Sequence, residues 1–398
     1  MQLGHENIKI DGLIVIGRLS YPSATAPSNR VHLYCKALKK EKGFPFVINL
    51  HSTFITSQPF SYLARYEGVP FYYAQKTIMY EKKLLYRNIN KIKGLINTLI
   101  ILSKIKKKHD FKVLFYATEV WDEFILFVFL KIMGVSIIRD CSEIPRFIMH
   151  DKKSKKIHNI FLRLKLKMYD NLIVISDVLN SFYSEIFPKN KIFQIPILVD
   201  MKRFSQKPER TNHERNLITY VGSMGGNKDG LENLIESMVI IKQKSNNTRL
   251  QLIGTAPDKD FIRLKNKVIE LGLTETILFL GKKKFDEIPL ILENSDILVL
   301  ARPDDNQAKA GFPTKLGEYL ASSKPVVITT TGEIPKYLKN NFSAYLAKPD
   351  DIEDFANQVI YALSDENSES IGKRGYEVAD KNFNYQLYGK EILNIIQN

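Results

Sequence analysis

Short apolar runs alternate with longer amphipathic stretches along the whole chain, and this alternation constrains the fold more than any other feature. Strands that are buried on both faces are nearly continuous in apolar residues, so the pattern predicts parallel sheets covered by helices. In the first half the predicted strands are Leu13–Ile16, Phe46–Leu50, Val113–Tyr116, Val135–Arg139 and Leu172–Ser176. The helical patterns between them include Asn29–Lys40, Leu84–Lys107 and Lys156–Met168.

The second half repeats the pattern with its own set of strands and helices. Its predicted strands are Leu217–Gly222, Arg249–Gly254, Thr276–Leu280, Ile297–Leu300, Pro325–Thr329 and Ala344–Leu346. The predicted helices are Gly230–Lys244, Lys259–Leu271, Glu287–Glu293, Lys315–Ser322 and Ile352–Leu363. The sequence therefore predicts an α/β protein with two Rossmann-like parallel-sheet domains that face a central cleft.

A polar, proline-containing stretch without periodicity separates the two halves. We predict a first domain over residues 1–204, a linker over 205–213 and a second domain over 214–384. The last helical stretch, residues 385–398, is expected to cross back toward the first domain. Because ligands of open parallel sheets bind beyond the carboxyl ends of the strands, the loops after strands are the places to search for a site.

Composition excludes several classes of protein. The 398 residues are 44% hydrophobic and 25% charged, as in a globular protein. The two cysteines form no metal-binding cluster and indicate reduced thiols. The longest apolar run, Phe124–Leu130, is too short to span a membrane, and the polar start carries no signal peptide. These features predict a cytoplasmic protein without a metal or other cofactor.

The excess of positive over negative charge lies entirely in the first half. Residues 1–205 contain 33 Lys and Arg against 16 Asp and Glu, whereas residues 206–398 contain 25 against 27. The asymmetry indicates an anionic partner: nucleic acid, a phospholipid surface or a phosphorylated substrate. General solubilisation by lysine is the alternative. In the basic stretches Lys82–Lys112 and Lys152–Lys167 we expect the apolar stripe to pack on the sheet, leaving the lysines free to attract an anionic leaflet.

Two loops of the second half have the chemistry of an anion site. The first follows a predicted strand and contains Gly222, Ser223, Gly225, Gly226 and Lys228. Its glycines allow close backbone approach, and free amides with a lysine suit a phosphate. The loop matches neither the dinucleotide nor the ATP-binding fingerprint, and a plain glycine-rich turn is the alternative.

The second loop opens a helix that carries an acid in its first turns. We predict Thr314 as the N-cap, Lys315 as an added charge and Glu318 as an acceptor for ribose hydroxyls. An acid that only favours the helix dipole is the alternative for Glu318. The preceding residues of this candidate loop are Gly311, Phe312 and Pro313.

The first half offers polar residues after its own strands. Ser28 or Asn29 is a candidate cap for the helix that carries Arg30, and Thr118, Glu119 and Glu143 follow two further strands. Polar groups at neighbouring strand ends indicate either a site or the ordinary polarity of loops. No histidine–cysteine cluster indicates a metal, and no motif indicates a nucleophile.

With these motifs in view, the second half resembles the retaining glycosyltransferases of family 4, which have the GT-B fold. The resemblance is strong from about residue 170 to 350 and weak before that. In the first half it rests on Val174-Ile175-Ser176 and Val199-Asp200…Phe204. In the second half it rests on Val221-Gly222…Asn227-Lys228-Asp229-Gly230, Ser295-Asp296-Ile297, Gly311-Phe312-Pro313-Thr314-Lys315-Leu316-Gly317-Glu318 and Ser323-Lys324-Pro325-Val326-Val327.

The resemblance implies a nucleotide-sugar donor in the second domain and an acceptor in the first. Glu318 would hold the ribose, Lys228 the diphosphate, and the amides around Phe312–Thr314 the phosphate or sugar. With the polar groups of the first half, this predicts Lys228, Lys315, Glu119 and Glu143 as catalytic residues. Acceptor binding is predicted for Ser28, Asn29, Arg30, Thr118 and Glu119. No metal is implied, since lysines and a helix terminus neutralise the leaving diphosphate.

Two positions depart from the family pattern. Ala310 stands where many members have a second acid, and Ser223 stands where many have a basic residue; Lys315 is the candidate for the missing charge. The expected activity is retaining transfer of a sugar to a lipid-linked or membrane-surface glycan, in cell-surface polysaccharide or lipopolysaccharide synthesis. The protein would lie at the inner face of the plasma membrane and bind no nucleic acid. A nucleotide-sugar epimerase and a catalytically silent sugar-binding relative stay open.

Overall fold

The computed structural model describes residues 12–22, 25–54, 58, 60–143, 155–204 and 216–397. The predicted linker, residues 205–213, lies outside these residues. The chain forms two α/β units with Rossmann-like parallel sheets, as the sequence predicts.

The first sheet has eight strands in the order β3-β4-β2-β1-β5-β6-β7-β8. All neighbouring strands are parallel except β3, which pairs antiparallel with β4 at one edge. The central strands are buried along their whole length because helices cover both faces. The strands are β1 Gly12–Gly17, β2 Phe44–Asn49, β3 Leu63–Tyr66, β4 Val69–Tyr73, β5 Phe111–Tyr116, β6 Ile137–Cys141, β7 Asn171–Val174 and β8 Ile192–Gln194.

Five α-helices accompany this sheet in the described part of the chain. They are α1 Ala26–Lys40, α2 Leu84–Lys106, α3 Val120–Ile132, α4 Lys155–Leu166 and α5 Asp177–Ser184. The N-cap of α1 is Thr25, and a proline occupies the first turn. The prediction that Ser28 or Asn29 caps this helix is therefore wrong. Proline fixes a helical φ and needs no amide partner, so the helix begins before both residues.

The second sheet has six strands in the order β11-β10-β9-β12-β13-β14, all parallel. This is the strand order of a dinucleotide-binding fold. The strands are β9 Asn216–Val221, β10 Thr248–Ile253, β11 Ile277–Gly281, β12 Ile297–Leu300, β13 Val326–Thr329 and β14 Tyr345–Ala347. The helices are α6 Leu231–Lys244, α7 Asp258–Glu270, α8 Ile288–Glu293, α9 Asn306–Ala310, α10 Thr314–Ala321, α11 Ile334–Tyr337, α12 Ile352–Ser364, α13 Ser368–Asn382 and α14 Gly389–Gln397.

The chain returns to the first domain after α13. The Val199 amide donates to the Phe383 carbonyl at 2.8 Å, and the Tyr385 amide donates to the Val199 carbonyl at 3.1 Å. Helix α14 then packs on α1, and Ile395 is buried in the core of the first domain. The last helix thus covers one face of the first sheet.

The apolar stripe of α2 packs on the core only in part. Leu102 is buried, and Leu95 and Leu99 are partly buried against the same core, as the sequence predicts. The prediction is wrong for Leu84, Leu85, Ile92 and Ile96, which are exposed. The helix therefore presents part of its apolar stripe to solvent. Within the described residues, no helix is long and apolar enough to cross a membrane.

Truncation of the returning helix tests its contribution to the first domain. Ile395→Ala removes a buried side chain, and we expect the free energy of unfolding to fall by about 2–5 kcal/mol. Leu387→Ala, at an exposed position of the same segment, should change it by about 0.5 kcal/mol or less. Urea titration followed by circular dichroism measures both. Equal midpoints for the two variants would contradict the packing role.

Candidate functional site

The candidate site lies where the second sheet reverses its strand order. From β9 the chain proceeds to one edge of the sheet through β10, and from β12 it proceeds to the other edge. The loops after these two adjacent strands therefore diverge and leave a crevice at their carboxyl ends. Both loops that the sequence singled out lie here.

A buried carboxylate, Asp229, joins the two loops. The Lys315 ammonium of α10 forms an ion pair with it, and the Tyr220 hydroxyl donates to it at 2.7 Å. Lys315 also donates to the Tyr220 hydroxyl at 2.8 Å. Burial alone would raise the pKa of Asp229, but the Lys315 ammonium and these hydrogen bonds hold it below its ordinary value. Asp229 is therefore ionised at neutral pH.

Glycine is required at two points of this arrangement. A Cβ atom at Gly222 would lie 2.0 Å from the Lys315 Nζ, so a side chain there would displace the ammonium. Gly230 has a φ of +65°, and a Cβ atom there would lie 1.7 Å from the Ala301 carbonyl oxygen. The first glycine makes room for the lysine, and the second lets its loop approach the end of β12.

Arg302 is a site residue that the sequence analysis missed. It follows β12 directly, and it is fully buried. All three guanidinium nitrogens lack a hydrogen-bond partner within the described residues. Burial lowers the pKa of Arg302, although Asp229 and Asp305 oppose this shift. The one available signal was the position of a lone arginine at the carboxyl end of a central strand.

The glycine-rich part of the first loop is already hydrogen-bonded within the protein. The Gly226 amide donates to Asp260 at 3.1 Å, and the Gly225 amide lies 3.4 Å from the Ser223 hydroxyl oxygen. The Ser223 carbonyl lies 2.7 Å from the Tyr220 hydroxyl. These contacts fix the loop, and they leave the donor-binding role of Ser223, Gly225 and Gly226 a prediction.

Helix α10 begins one residue earlier than predicted. Pro313 is the N-cap and makes no side-chain cap, so the prediction of Thr314 as the cap is wrong. A cap must hold an extended backbone, and Thr314 is already helical. The Phe312 ring is buried against Tyr337, with ring centroids 5.4 Å apart. The Phe312 side chain is thus not open to a ligand. The Leu316 amide donates to the Pro313 carbonyl at 3.0 Å, so the earlier amides of the first turn are the candidates for ligand contact.

Glu318, one turn into α10, is paired with Arg203 from the end of the first domain. Arg203 belongs to the short 3-10 helix Met201–Phe204. Its Nη2 donates to the Phe285 carbonyl at 2.8 Å, and its guanidinium carbon lies 3.4 Å from the centre of the Phe285 ring. The predicted ribose acceptor is therefore held by a cation of the other domain.

Contacts across the cleft bring the two domains together. The Lys228 ammonium pairs with Glu143 at 2.8 Å, so two predicted catalytic residues meet there. The Ser176 hydroxyl, which caps α5, donates to the Ala310 carbonyl at 2.5 Å. The Lys336 ammonium pairs with Asp177 at 2.7 Å. The loops of the second domain thus face the first domain.

The predicted acceptor residues of α1 mostly have structural contacts. Arg30 is buried, and its three nitrogens bind Asp140 at 3.3 Å and the carbonyls of Ile195 and Pro196 at 2.7 and 2.6 Å. Ser28 is also buried, whereas Asn29 is half-buried. Arg30 therefore ties α1 to the end of the sheet, and its guanidinium is not open to an acceptor.

Glu119 lies at the reversal point of the first sheet, after β5. Lys91 of α2 pairs with it at 2.9 Å and Arg18 at 3.1 Å. The hydrogen bond from Lys91 lowers the pKa of Glu119, so it is a carboxylate at neutral pH. Its neighbour Thr118 accepts from Arg139 at 2.6 Å. No described contact joins Glu119 to the loops of the second domain, and its catalytic role stays a prediction.

One group of side chains in the described ranges has the spacing of metal ligands. Ligand atoms of His51, Glu119 and Asp122 lie within 4.8 Å of one another. His51 already pairs with Asp122 at 2.8 Å, and Glu119 has its two cations. Protein charges thus account for this group, and independence from metal stays a prediction.

Comparison with known proteins finds similarity to glycosyltransferases. Residues 201–378 match the family model Glycosyl transferases group 1. An uncharacterized glycosyltransferase of Methanocaldococcus jannaschii, MJ1178, is 25% identical over 167 residues, which are 42% of this chain and 44% of that protein. The amylovoran biosynthesis glycosyltransferase AmsK of Erwinia amylovora is 27% identical over 173 residues, 42% of this chain and 41% of that protein. The match thus covers less than half of the curated relatives.

Solved structures match nearly the whole chain. Anabaena HepE in complex with UDP has a TM-score of 0.68 at 13% identity and covers 98% of this chain and 100% of that one. Sucrose-phosphate synthase from Thermosynechococcus elongatus has a TM-score of 0.75 at 14% identity, with 97% and 98% covered. The chain therefore has the GT-B fold, and residues 201–378 are similar to the group 1 glycosyl transferases.

Proposed function

We propose that the protein is a glycosyltransferase that moves a sugar from a nucleoside diphosphate to an acceptor with retention at the anomeric carbon. The observation that carries this proposal is the pair of largely buried cations, Lys315 and Arg302, beside the buried carboxylate Asp229 at the reversal point of the second sheet. Two largely buried cations beside one buried carboxylate leave a net positive charge. Because this charge lies at the N-terminal end of α10, it suits a diphosphate. The match to the group 1 family and the UDP bound to the structural relative HepE support a nucleotide-sugar donor.

The donor would lie between α10 and the loop after β9. Glu318 would accept hydrogen bonds from the ribose, and the first amides of α10 with Lys228 and Lys315 would meet the diphosphate. Glu143 would release Lys228 for this purpose, because their ion pair is exposed and therefore weak.

The transfer step needs charge stabilisation rather than a protein nucleophile. The bond between the anomeric carbon and the diphosphate oxygen breaks, and the acceptor oxygen bonds to the same face of the sugar. The acceptor proton passes to the leaving phosphate. Lys228, Lys315 and Arg302 would stabilise the negative charge that develops on the diphosphate as this bond breaks.

Two exposed lysines that cross the cleft provide a matched test of this role. Lys228→Ala should lower turnover by about a hundredfold, because it removes a cation that stabilises the leaving group. Lys336→Ala removes a similar exposed ion pair between the domains, with Asp177, and should leave turnover within about twofold. Nucleoside diphosphate release from a panel of UDP-, GDP- and ADP-sugars, with a glycan acceptor, measures both variants. Equal losses would assign Lys228 to domain contact alone.

Replacement of Arg302 should affect thermal stability and nucleotide binding in different ways. Arg302→Met keeps an apolar stem and removes a buried cation without hydrogen-bond partners, so the melting temperature should stay the same or rise. Binding of the preferred nucleoside diphosphate should weaken by about tenfold, because the positive potential of the site falls. Calorimetry measures both quantities, and Lys242→Met on α6 is the control. Unchanged binding would exclude Arg302 from the donor site.

We further propose that the first domain binds an anionic membrane surface, from which a lipid-linked acceptor would reach the cleft. Exposed apolar side chains of α2, α3 and α4 form what we call the basic apolar surface. Lys91 links α2 to the start of α3, and Lys165 of α4 pairs with Glu123 of α3 at 2.9 Å. Its members are Leu84, Leu85, Tyr86, Ile89, Ile92, Ile96, Ile100, Val120, Trp121, Phe124, Ile125, Val128, Ile132, Ile160, Phe161 and Leu164.

Charge and position favour a membrane as the occupant of this surface. The lysines that surround α2 attract anionic lipid by about 1 kcal/mol for each near-surface charge. Apolar side chains among basic ones are typical of helices that lie in the interface plane. The surface also adjoins Glu119, which follows β5 at the carboxyl end of the first sheet.

The single tryptophan reports directly on this proposal, because Trp121 is 79% exposed in the basic apolar surface. Vesicles of phosphatidylglycerol and phosphatidylcholine should shift its fluorescence to shorter wavelength, and high salt should reduce the effect. Ile92→Glu with Ile96→Glu should abolish the shift. Ile262→Glu, at an exposed position of the second domain, should leave it unchanged. The absence of a shift would contradict the proposal, as would a protein dimer that buries Trp121 without lipid.

A further inference from the structure

Arg203, the ion-pair partner of Glu318, has no role in the proposed transfer step. It nevertheless makes more contacts than an ordinary surface cation. Arg203 and Glu318 are 17% and 18% exposed. Arg203 is fixed on two further sides, by its hydrogen bond to the Phe285 carbonyl and by its stacking on the Phe285 ring. Arginine stacks on aromatic rings and binds carboxylates with a planar fork, so this contact is not one that lysine reproduces.

The pairing uses one side of the Glu318 carboxylate. Arg203 contacts Oε1, and Oε2 has no hydrogen bond or ion pair within the described residues. A carboxylate accepts several hydrogen bonds, so Glu318 keeps capacity for another donor. Glu318 lies one turn from Lys315 on α10, and Lys315 in turn pairs with the buried Asp229. The remaining capacity is thus available beside the proposed diphosphate position.

We propose that Arg203 is a positioning residue of the first domain. It holds the Glu318 carboxylate in one orientation, so that Oε2 accepts a hydrogen bond from a ribose hydroxyl. This inference rests on the proposed nucleotide-sugar donor. Its physical basis is preorganisation: a carboxylate that is already ordered loses less side-chain freedom when the nucleoside binds. Nucleoside affinity then depends on a residue outside the domain that holds the donor.

Two other roles for Arg203 make different predictions. If its guanidinium blocked the ribose position, removal would strengthen nucleotide binding. If it only joined the domains, removal would weaken every ligand of the cleft to the same extent. Neither of these roles depends on the hydroxyls of the ribose, whereas the positioning role does.

The test compares three ligands by isothermal titration calorimetry. The first is whichever of UDP, GDP or ADP the wild-type protein binds most tightly. The second is its 2′,3′-dideoxy counterpart, and the third is inorganic pyrophosphate. Arg203→Gln should weaken binding of the nucleoside diphosphate by about tenfold. The reason is that the Glu318 carboxylate is no longer held in the orientation in which it accepts a hydrogen bond from the ribose. The substitution should leave the affinities for the dideoxy nucleotide and for pyrophosphate unchanged.

Further variants separate positioning from folding. Arg203→Lys should recover only part of the lost affinity, since lysine lacks the planar fork. Glu318→Gln combined with Arg203→Gln should bind no more weakly than Glu318→Gln alone, because Arg203 acts through Glu318. Tighter nucleotide binding by Arg203→Gln, or an equal loss for all three ligands, would overturn the inference. A wild-type protein that binds pyrophosphate but no nucleotide would overturn the proposed donor site itself.

Discussion

The buried carboxylate of Asp229 holds the candidate site together. It lies on the loop after β9, and its main partner, Lys315, lies on the helix that follows β12. This ion pair offsets the repulsion between Lys315 and Arg302, which is strong in a buried environment. The glycines at 222 and 230 have their physical reason here, because each removes a side chain that would separate the two loops.

The two domains contribute unequal chemistry to the cleft. The second domain supplies buried cations and the start of a helix, and its sheet has the strand order of nucleotide-binding folds. The first domain supplies Glu143 and Arg203, each of which pairs with a candidate residue of the second domain. Its own reversal point holds Glu119 between two cations. This unequal distribution is consistent with the proposal that the second domain binds the nucleotide sugar and the first domain binds the acceptor.

The sequence predicts well those features that depend on local pattern. Continuous apolar runs located β9 and β12, whereas the roles of Lys228 and Glu318, which the family resemblance implies, stay predictions. The edge strand β3 was missed because its exposed and half-buried residues alternate and no long apolar run marks it. The exposed part of the α2 stripe was assigned to the core together with the buried part, because periodicity shows which residues share a face but not what covers that face.

Contacts between distant residues lie beyond such patterns. An isolated arginine such as Arg302 has no local signal of burial, and its surroundings come from both loops of the site. The pairing of Arg203 with Glu318 joins residues 115 positions apart and in different domains. The structural contacts of Arg30, which the sequence assigned to the acceptor, likewise come from segments more than 100 positions away.

Two kinds of contact join the domains, and the first is at Val199, where the chain returns to the first domain. Backbone hydrogen bonds on both sides of Val199 fix that end of the cleft, and they do not depend on ionic strength. The Lys228–Glu143 and Lys336–Asp177 pairs are exposed, so mobile ions screen them over about 8 Å at physiological salt. The two kinds of contact therefore respond differently to the medium: added salt weakens the ion pairs and leaves the backbone hydrogen bonds at Val199 unchanged.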